Sequence, residues 1–551
     1  MNFATVDQLL DKIGDRINPI LVKETRQALK SRQFTSTFML LLAANLIVSF
    51  AGIAFVGPDI DYQSSGSDFF LWYFGVLAFA IFVVVPFGAY RSLAAEQEER
   101  TYELLSITTL NPGQIIIGKL LSSMAQMFIY YSAIAPFMAF TYLLKGIDIF
   151  SIVFVLVLAI LGSAGLSIVG LFLATFASRR GWQVMLSVVM ICGLMSCTGG
   201  SIGLAAVILY EVGGVMRDPY FWIAMSATAT AYVATFALLF QLSVSQLTFE
   251  ADNRSSKVRI VIVLQTLAAL GWIGWGWIRE SSGDPDFLMV VIWVAMVYWG
   301  FLGACLASEP AGMSRRVARQ VPRNAFWRMT TGIFYPGPAT GLAFLLVNLL
   351  MFVVMINFAE VTEGFTVQNW RGVGRTFSPT AIAAALAAYI FLYVGIGSVL
   401  VRLIRRVRPL PMIGGTAIVL ILVAIGSLAP NFFVMAFRRQ PYDSYSLWQI
   451  SDPGTTIYEI YRTPSSWALV GMPIGIAGLV LVLNLRAMAR AIVEIEDAGR
   501  SNLWVVVEPT ATTDATMGAV TGVSDPAAAV ETNNTTGAVT AVAEPAAGVW
   551  P

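Results

Sequence analysis

The chain is expected to fold as an all-α, polytopic helical membrane protein, with about twelve transmembrane helices and both termini cytoplasmic. Three observations lead there. Hydrophobic residues fill 57% of its 551 positions and charged residues only 12%, a balance that a water-exposed globular surface does not carry. The mean hydropathy is +0.73. Apolar runs of about 20 residues, the length that crosses a hydrocarbon core as a helix, recur as far as Arg486 and leave no room for a large soluble domain.

The same composition excludes several function classes. The formal net charge is +1, and its basic residues are scattered through short loops, so nothing points to nucleic acid. Cys192, Cys197 and Cys305 lie in or beside apolar spans, which suggests neither a disulfide framework nor a metal site. Histidine is absent, which removes the commonest general base and metal ligand and any histidine-dependent triad.

Taken in order, residues 1–35 read as cytoplasmic amphipathic helices. Leu9, Leu10, Ile13, Ile17, Ile20 and Leu21 recur at helical spacing among Asp7, Lys12, Asp15, Arg16 and Lys23, a pattern that lies in the membrane interface. Asn18 followed by Pro19 supplies a cap and a first-turn proline, so two short helices meet there. The first span follows without a small-residue cleavage site, as an uncleaved helix.

Spans are placed at 36–57, 69–90, 114–144, 150–177, 183–210 and 219–246, then at 258–279, 286–307, 338–358, 379–402, 411–436 and 466–486. Cytoplasmic loops should hold the excess of Lys and Arg. With the N-terminus inside, inner loops carry Arg179 and Arg180, then Arg254, Lys257 and Arg259, then Arg315, Arg316, Arg319, Arg323 and Arg328, then Arg402, Arg405, Arg406 and Arg408. Outer loops carry Asp59, Asp61, Asp68, Asp284 and Asp286, with mixed charge at Arg371, Arg375, Glu360, Glu363, Arg438 and Arg439. The chain thus divides into six spans over 36–246 and a second membrane unit over 247–490, and residues 508–551 have too little apolar bulk to fold alone. That tail is expected to be disordered and cytoplasmic, so the sequons at Asn533 and Asn534 are chance matches.

The loop between the second and third spans carries the most information. Glu96 and Arg100 are four apart and can pair along a helix, with Tyr102, Leu104 and Leu105 on another side. Asn111 caps and Pro112 starts the third span, holding this polar turn to the membrane helix. Anionic lipid would repel Glu96, Glu98, Glu99 and Glu103, so the turn is expected to face a protein.

Glu98 and Glu99, then Thr101, Glu103, Leu104 and Leu105, then Pro112, then Gly118 and Lys119 together resemble the cytoplasmic loop of type-2 ATP-binding-cassette export permeases. Asn18, Pro19, Lys23, Glu24 and Arg26 look like the elbow helix of the same family, and the resemblance covers about residues 15–250. It implies a coupling helix at about 94–110 that rests on a separate ATP-binding-cassette ATPase subunit, in the plasma (bacterial inner) membrane, with homodimers possible. No cofactor or catalytic residue is implied for this chain. Where the family commonly has six spans, six more follow here. Their inner loop, Ser308 to Gly337, lacks the Thr-x-Glu-Leu-Leu pattern and is arginine-rich, with Pro310, Pro322 and Pro336, so the second half is either a diverged copy or an accessory domain.

Gly113 to Lys119 matches the spacing of a phosphate-binding loop, but Leu120 stands where a magnesium-binding hydroxyl belongs and no strand precedes it. An ion-coupled carrier would need charge buried mid-span; the polar exceptions are Asn45, Gln126, Gln265, Asn348 and Asn357, which suit helix-to-helix hydrogen bonds. Tyr130, Tyr131, Tyr389 and Tyr393 suit aromatic packing better than a substrate path. The alternative class is a membrane scaffold without transport, its loops 91–113 and 308–337 recruiting cytoplasmic proteins.

Overall fold

The computed structural model describes residues 19–56, 65–99, 111–144, 146–177, 180–210, 218–249, 251–279, 285–310, 312–362, 378–437, 445, 447–462 and 467–504. Among them every regular element is a helix. The helices are α1 (Pro19–Lys30), α2 (Arg32–Val56), α3 (Gly66–Glu98), α4 (Pro112–Leu143), α5 (Ile149–Ala174), α6 (Arg180–Tyr210), α7 (Pro219–Leu247), α8 (Ser256–Arg279) and α9 (Pro285–Ala307). After two short helices, α10 (Arg315–Ala318) and α11 (Ala325–Thr331), come α12 (Pro338–Thr362), α13 (Pro379–Arg405), α14 (Met412–Phe437), α15 (Pro453–Arg462) and α16 (Trp467–Trp504). Residues Met1–Asn502 form one compact unit and Leu503–Pro551 a second. Of the second, only the last two residues of α16 are described, so the expected tail at 508–551 lies outside the described residues.

Each expected span coincides with a helix, and among the described residues 11 helices are long and apolar enough to cross a membrane. The protein is therefore an all-α polytopic membrane protein. The expected third span, α4, is a 32-residue helix that is not among those 11; it buries Lys119, Ser122 and Ser123. A second departure is α16, which continues past Arg486 to Trp504. Good helix formers, the Glu496–Arg500 ion pair at 2.5 Å and burial of Ile495 against Val317, Val321 and Tyr335 carry the helix beyond its apolar run.

The helix ends follow local chemistry. Gln114 Oε1 accepts from the Asn111 N–H at 3.0 Å, and Pro112 opens α4 where its missing N–H costs nothing. Asp148 caps α5 by accepting from the Phe150 and Ser151 N–H groups at 2.9 and 3.2 Å, and the Phe150 N–H holds its carboxyl below the usual carboxylate range. Within α3 a π turn, Ala80–Val84, replaces α geometry. The Ser163 hydroxyl on α5 donates to the Ile81 carbonyl at 2.6 Å.

The helices alternate between two ends. Ser67 Oγ donates to the Gly146 carbonyl at 2.8 Å and Asp68 accepts from Tyr210, which gathers the start of α3, the approach to α5 and the end of α6. At the opposite end Leu247 packs with Ala94, Ile116, Ala174 and Ala177. There Arg316 pairs with Asp252 at 3.1 Å, bringing the loop after α9 to the loop after α7. One extended apolar cluster runs through α7 to α16, and two smaller ones occupy α2 to α7. Some crossings are backbone-close: a Cβ at Gly170 would lie 2.9 Å from the Pro86 carbonyl, and one at Gly341 would lie 2.6 Å from the Leu306 carbonyl.

Arg259 was expected among the inner-loop charges, but it is wholly buried in the first turn and a half of α8. Its Nη2 pairs with Glu309 Oε2 at 2.6 Å, and its Nη1 donates to the Ile333 and Tyr335 carbonyls at 2.6 and 2.8 Å and to Thr340 Oγ1 at 3.1 Å. Glu309 also accepts from Ser255 Oγ at 2.7 Å and from the Gly337 N–H at 2.8 Å, where Gly337 has a φ of +145° that disfavours any side chain. Arg405 donates to the Ser308 and Glu309 carbonyls, each at 2.5 Å. A charge out of water is tolerated only when paired and hydrogen-bonded, so this node fixes the ends of α8, α9, α12 and α13 together. Arg259→Met should cost about 3–5 kcal/mol by stranding Glu309, and Arg259→Lys should not restore it, since an ammonium lacks the fork of donors. Thermal unfolding in detergent would check this; a wild-type midpoint for Arg259→Met would refute the assignment.

Candidate functional site

Three of the residues singled out around the elbow and the first inner loop, Glu24, Glu96 and Lys119, meet in space. This lysine lies on the second turn of α4, next to the apolar run Ile115, Ile116 and Ile117, and its side chain is 1% exposed. Two carboxylates meet its ammonium: Glu24 Oε1 from α1 at 3.1 Å and Glu96 Oε1 from the last turn of α3 at 3.0 Å. Ser92 Oγ, one turn back on α3, lies 3.4 Å away. Glu96 was expected to pair with Arg100, which lies outside the described residues; among the described residues its Oε1 meets Lys119, the counter-charge that a buried ammonium needs.

Local sequence explains each contribution. α1 begins at Pro19, as expected for the second of two short helices, and turns Ile20 inward while Lys23, Arg26 and Lys30 stay exposed. Asn18 lies outside the described residues. At Ser31 the chain bends, the hydroxyl donating to the Ala28 carbonyl at 2.7 Å and accepting from the Phe34 N–H at 3.1 Å. That single residue ends one helix and caps the next, so α1 lies against α4 while α2 departs into the bundle. The short helix Pro19–Lys30 thus ends in a bend at Ser31, and its Glu24 is the acid that reaches Lys119.

The inner half of α3 is equally fixed. Tyr90 is fully buried, and its hydroxyl donates to the Gln183 carbonyl on α6 at 3.1 Å while accepting from Ser187 Oγ at 3.3 Å. Residues 94–98 of the expected coupling helix are the last turn of α3, which closes with the Glu99 N–H donating to the Ala95 carbonyl at 3.0 Å. Glu98 and Glu99 are exposed. Thr101, Glu103, Leu104 and Leu105 lie outside the described residues. Pro112 is half-buried, and Gly118 and Lys119 are buried, so Lys119 acts within the bundle and presents no charge to a partner.

A cavity of about 260 Å³ opens beside the cluster, bordered by Glu24, Arg91, Ser92, Lys119 and Gln126. Gln126 donates to the Tyr130 hydroxyl at 3.2 Å. Gly113 to Lys119 is helical throughout, with the Gln114 and Ile115 N–H groups donating to the Asn111 carbonyl at 2.9 and 3.3 Å, so the segment does not form the loop that wraps a phosphate. Among the described residues no group of acids, cysteines or histidines is placed to hold a metal ion. The arrangement can therefore transmit position, through charge pairing between three helices.

Other singled-out residues are placed as follows. Asn45 and Asn348 each donate to the carbonyl four residues back, Leu41 at 2.7 Å and Phe344 at 2.8 Å, where contacts between helices were expected. Gln265 does join helices, through Thr235 at 3.3 Å and Tyr298 at 3.1 Å. Tyr130, Tyr389 and Tyr393 are buried, and the last two donate to the Ile450 and Ser451 carbonyls. Sequence reasoning missed the link from Glu24 to Lys119. Its signal was available: a lone lysine inside an apolar helix requires an acid nearby.

No protein-family model, no curated protein and no solved structure matches this chain. The Lys119 cluster yields a direct expectation. In a double-mutant cycle, Glu24→Gln should cost less in a Lys119→Met background than in the wild type, with a coupling on the order of 1–3 kcal/mol. Lys119→Met should also speed tryptic cutting at Lys23, Arg26 and Lys30, whereas independent effects and unchanged cutting would mean that α1 is held by apolar contact alone.

Proposed function

We propose that this chain is the permease subunit of an ATP-binding-cassette exporter, seated in the plasma (bacterial inner) membrane with the Lys119 end on the cytoplasmic side. The observation that carries the reading is the Glu24–Lys119–Glu96 cluster. It joins the interfacial α1 to both helices that flank the loop 100–110, so a displacement delivered to that loop moves α3 and α4 together. A loop held in this way suits a coupling element driven by a separate ATPase. The sequence motif on it, Glu98, Glu99, Thr101, Glu103, Leu104 and Leu105, supports the same partner, and Glu98 and Glu99 are exposed to meet it. Nucleotide chemistry is then the partner's, and this chain supplies the path and the moving helices.

A scaffold without transport is the second reading, and one observation favours it. On α11, within the arginine-rich loop, Phe326, Trp327 and Met329 are exposed, as a recruiting surface would have them. The two readings part on the partner's identity. Under the permease reading, affinity isolation in mild detergent recovers a stoichiometric ATPase subunit, and Glu99→Lys or Glu103→Lys lowers its retention about tenfold while membrane insertion stays unchanged. Equal retention by both variants, or recovery with partners that hydrolyse no ATP, would reject that reading in favour of the scaffold.

A further inference from the structure

A second charged site lies away from the Lys119 cluster, between α13 and α16. The apolar run of α16 ends at Arg486, and α13 ends at Arg405, so both helices leave the apolar zone there. They are held level by side chains: Asn484 Nδ2 donates to the Gly395 carbonyl at 3.4 Å, and Arg402 Nη2 donates to Asn484 Oδ1. A Cβ at Gly395 would lie 2.5 Å from Val480 Cγ1, so the two helices touch at this crossing and part beyond it. The opening is a cavity of about 480 Å³ whose walls carry Arg402, Arg406, Arg486 and Arg490.

The charge there is unbalanced. Glu494 is the lone acid on the wall, and its Oε1 already accepts from the Met313 N–H at 2.8 Å. Arg402 is committed to Asn484 and to the Ser398 carbonyl, and the neighbouring Arg405 is turned away onto Ser308 and Glu309. Arg406, Arg486 and Arg490 are exposed, and their guanidinium groups make no hydrogen bond or ion pair with any described residue. Three guanidinium groups facing one cleft repel each other unless an anion sits among them, and the planar fork of each suits phosphate oxygens. The apolar side of the same cleft names the anion further. Val399, Leu403 and Leu483 line it, and Leu403 and Leu483 are 56% and 68% exposed, directly beside the arginines along the helices. Acyl chains would cover these residues while a phosphate meets the charges.

We infer that this cleft binds the phosphate-bearing headgroup of an anionic phospholipid, whose acyl chains run along α13 and α16. Basic pockets between membrane helices recognise such headgroups through the same chemistry. The site does not depend on the transport reading: it would exist equally in an exporter subunit or a scaffold.

The full chain, purified in mild detergent, would be titrated with phosphatidylglycerol and with phosphatidylcholine of matched acyl chains, and bound lipid read by native mass spectrometry. The expected result is one phosphatidylglycerol held at least tenfold more tightly than phosphatidylcholine. Arg486→Gln with Arg490→Gln should weaken it about thirtyfold. Arg315→Gln with Arg319→Gln, which removes the same charge from another exposed segment, should leave it unchanged. Arg406→Gln gives an independent single-site loss should the double variant aggregate. Equal affinity for the two lipids, or equal loss in the Arg315 and Arg319 control, would overturn the proposal. Displacement of the lipid from wild type by millimolar inorganic phosphate would overturn it too, by showing a small-anion site indifferent to acyl chains.

Discussion

An ammonium or guanidinium inside an apolar bundle has to find its counter-charge within the protein, and much of this structure is arranged around two such demands. Lys119 enters the membrane helices with its charge and draws in Glu24 and Glu96 from two other elements. Arg259 does the same near the start of α8 and draws in Glu309 together with the carbonyls of the turn before α12. Isolated, either charge would cost several kcal/mol. Paired, each dictates where a chain segment that has little apolar surface of its own must lie. α1, with a single buried hydrophobic residue, is the clearest example.

The two nodes differ in stiffness. A lysine is a point charge on a flexible stem with rotatable donors, and it can follow its carboxylates through a small shift of α1 or α3. Arg259 is a planar fork engaged on several acceptors at once, and only one arrangement of the surrounding backbone satisfies them. The first half of the bundle is therefore joined through an adjustable pin and the second through a rigid one. Under the proposed permease reading, motion would enter beside α3 and α4, against the more rigidly joined α8, α9, α12 and α13.

Much of the architecture was legible because apolar runs of membrane length admit almost no other conformation, and the 11 helices apolar enough to span lie where hydropathy placed them. The helix caps at Asn111 and Pro112 were legible for the same local reason. The end of α16 was not, because hydropathy marks where a helix leaves lipid and says nothing of where it stops. Arg259 was misread since a charge beside an apolar run looks like a loop residue until Glu309, fifty positions away, is seen to neutralise it. Likewise the candidate site was half visible. Glu96 and Lys119 stood out as charged residues in one short motif, but their pairing, and the part of Glu24, needed α1 to be folded against α4. Asn45 and Asn348 show the limit from the other side, since an amide in an apolar helix can satisfy itself on its own backbone.

The π turn in α3 shifts the helical phase between its two halves. Outward of it, Tyr73, Phe74 and Leu77 face the core; inward of it, Ala89, Tyr90 and Leu93 do. That spacing is longer than the roughly 14 residues of four α-helical turns, and the π turn absorbs the excess. Without it, the face that now presents Tyr90 to α6 and Glu96 to Lys119 would be rotated away from both. The short segment Ala80–Val84, buried in the bundle and bonded at Ile81 by the Ser163 hydroxyl, thus sets the angular register that lets the acid and the lysine meet.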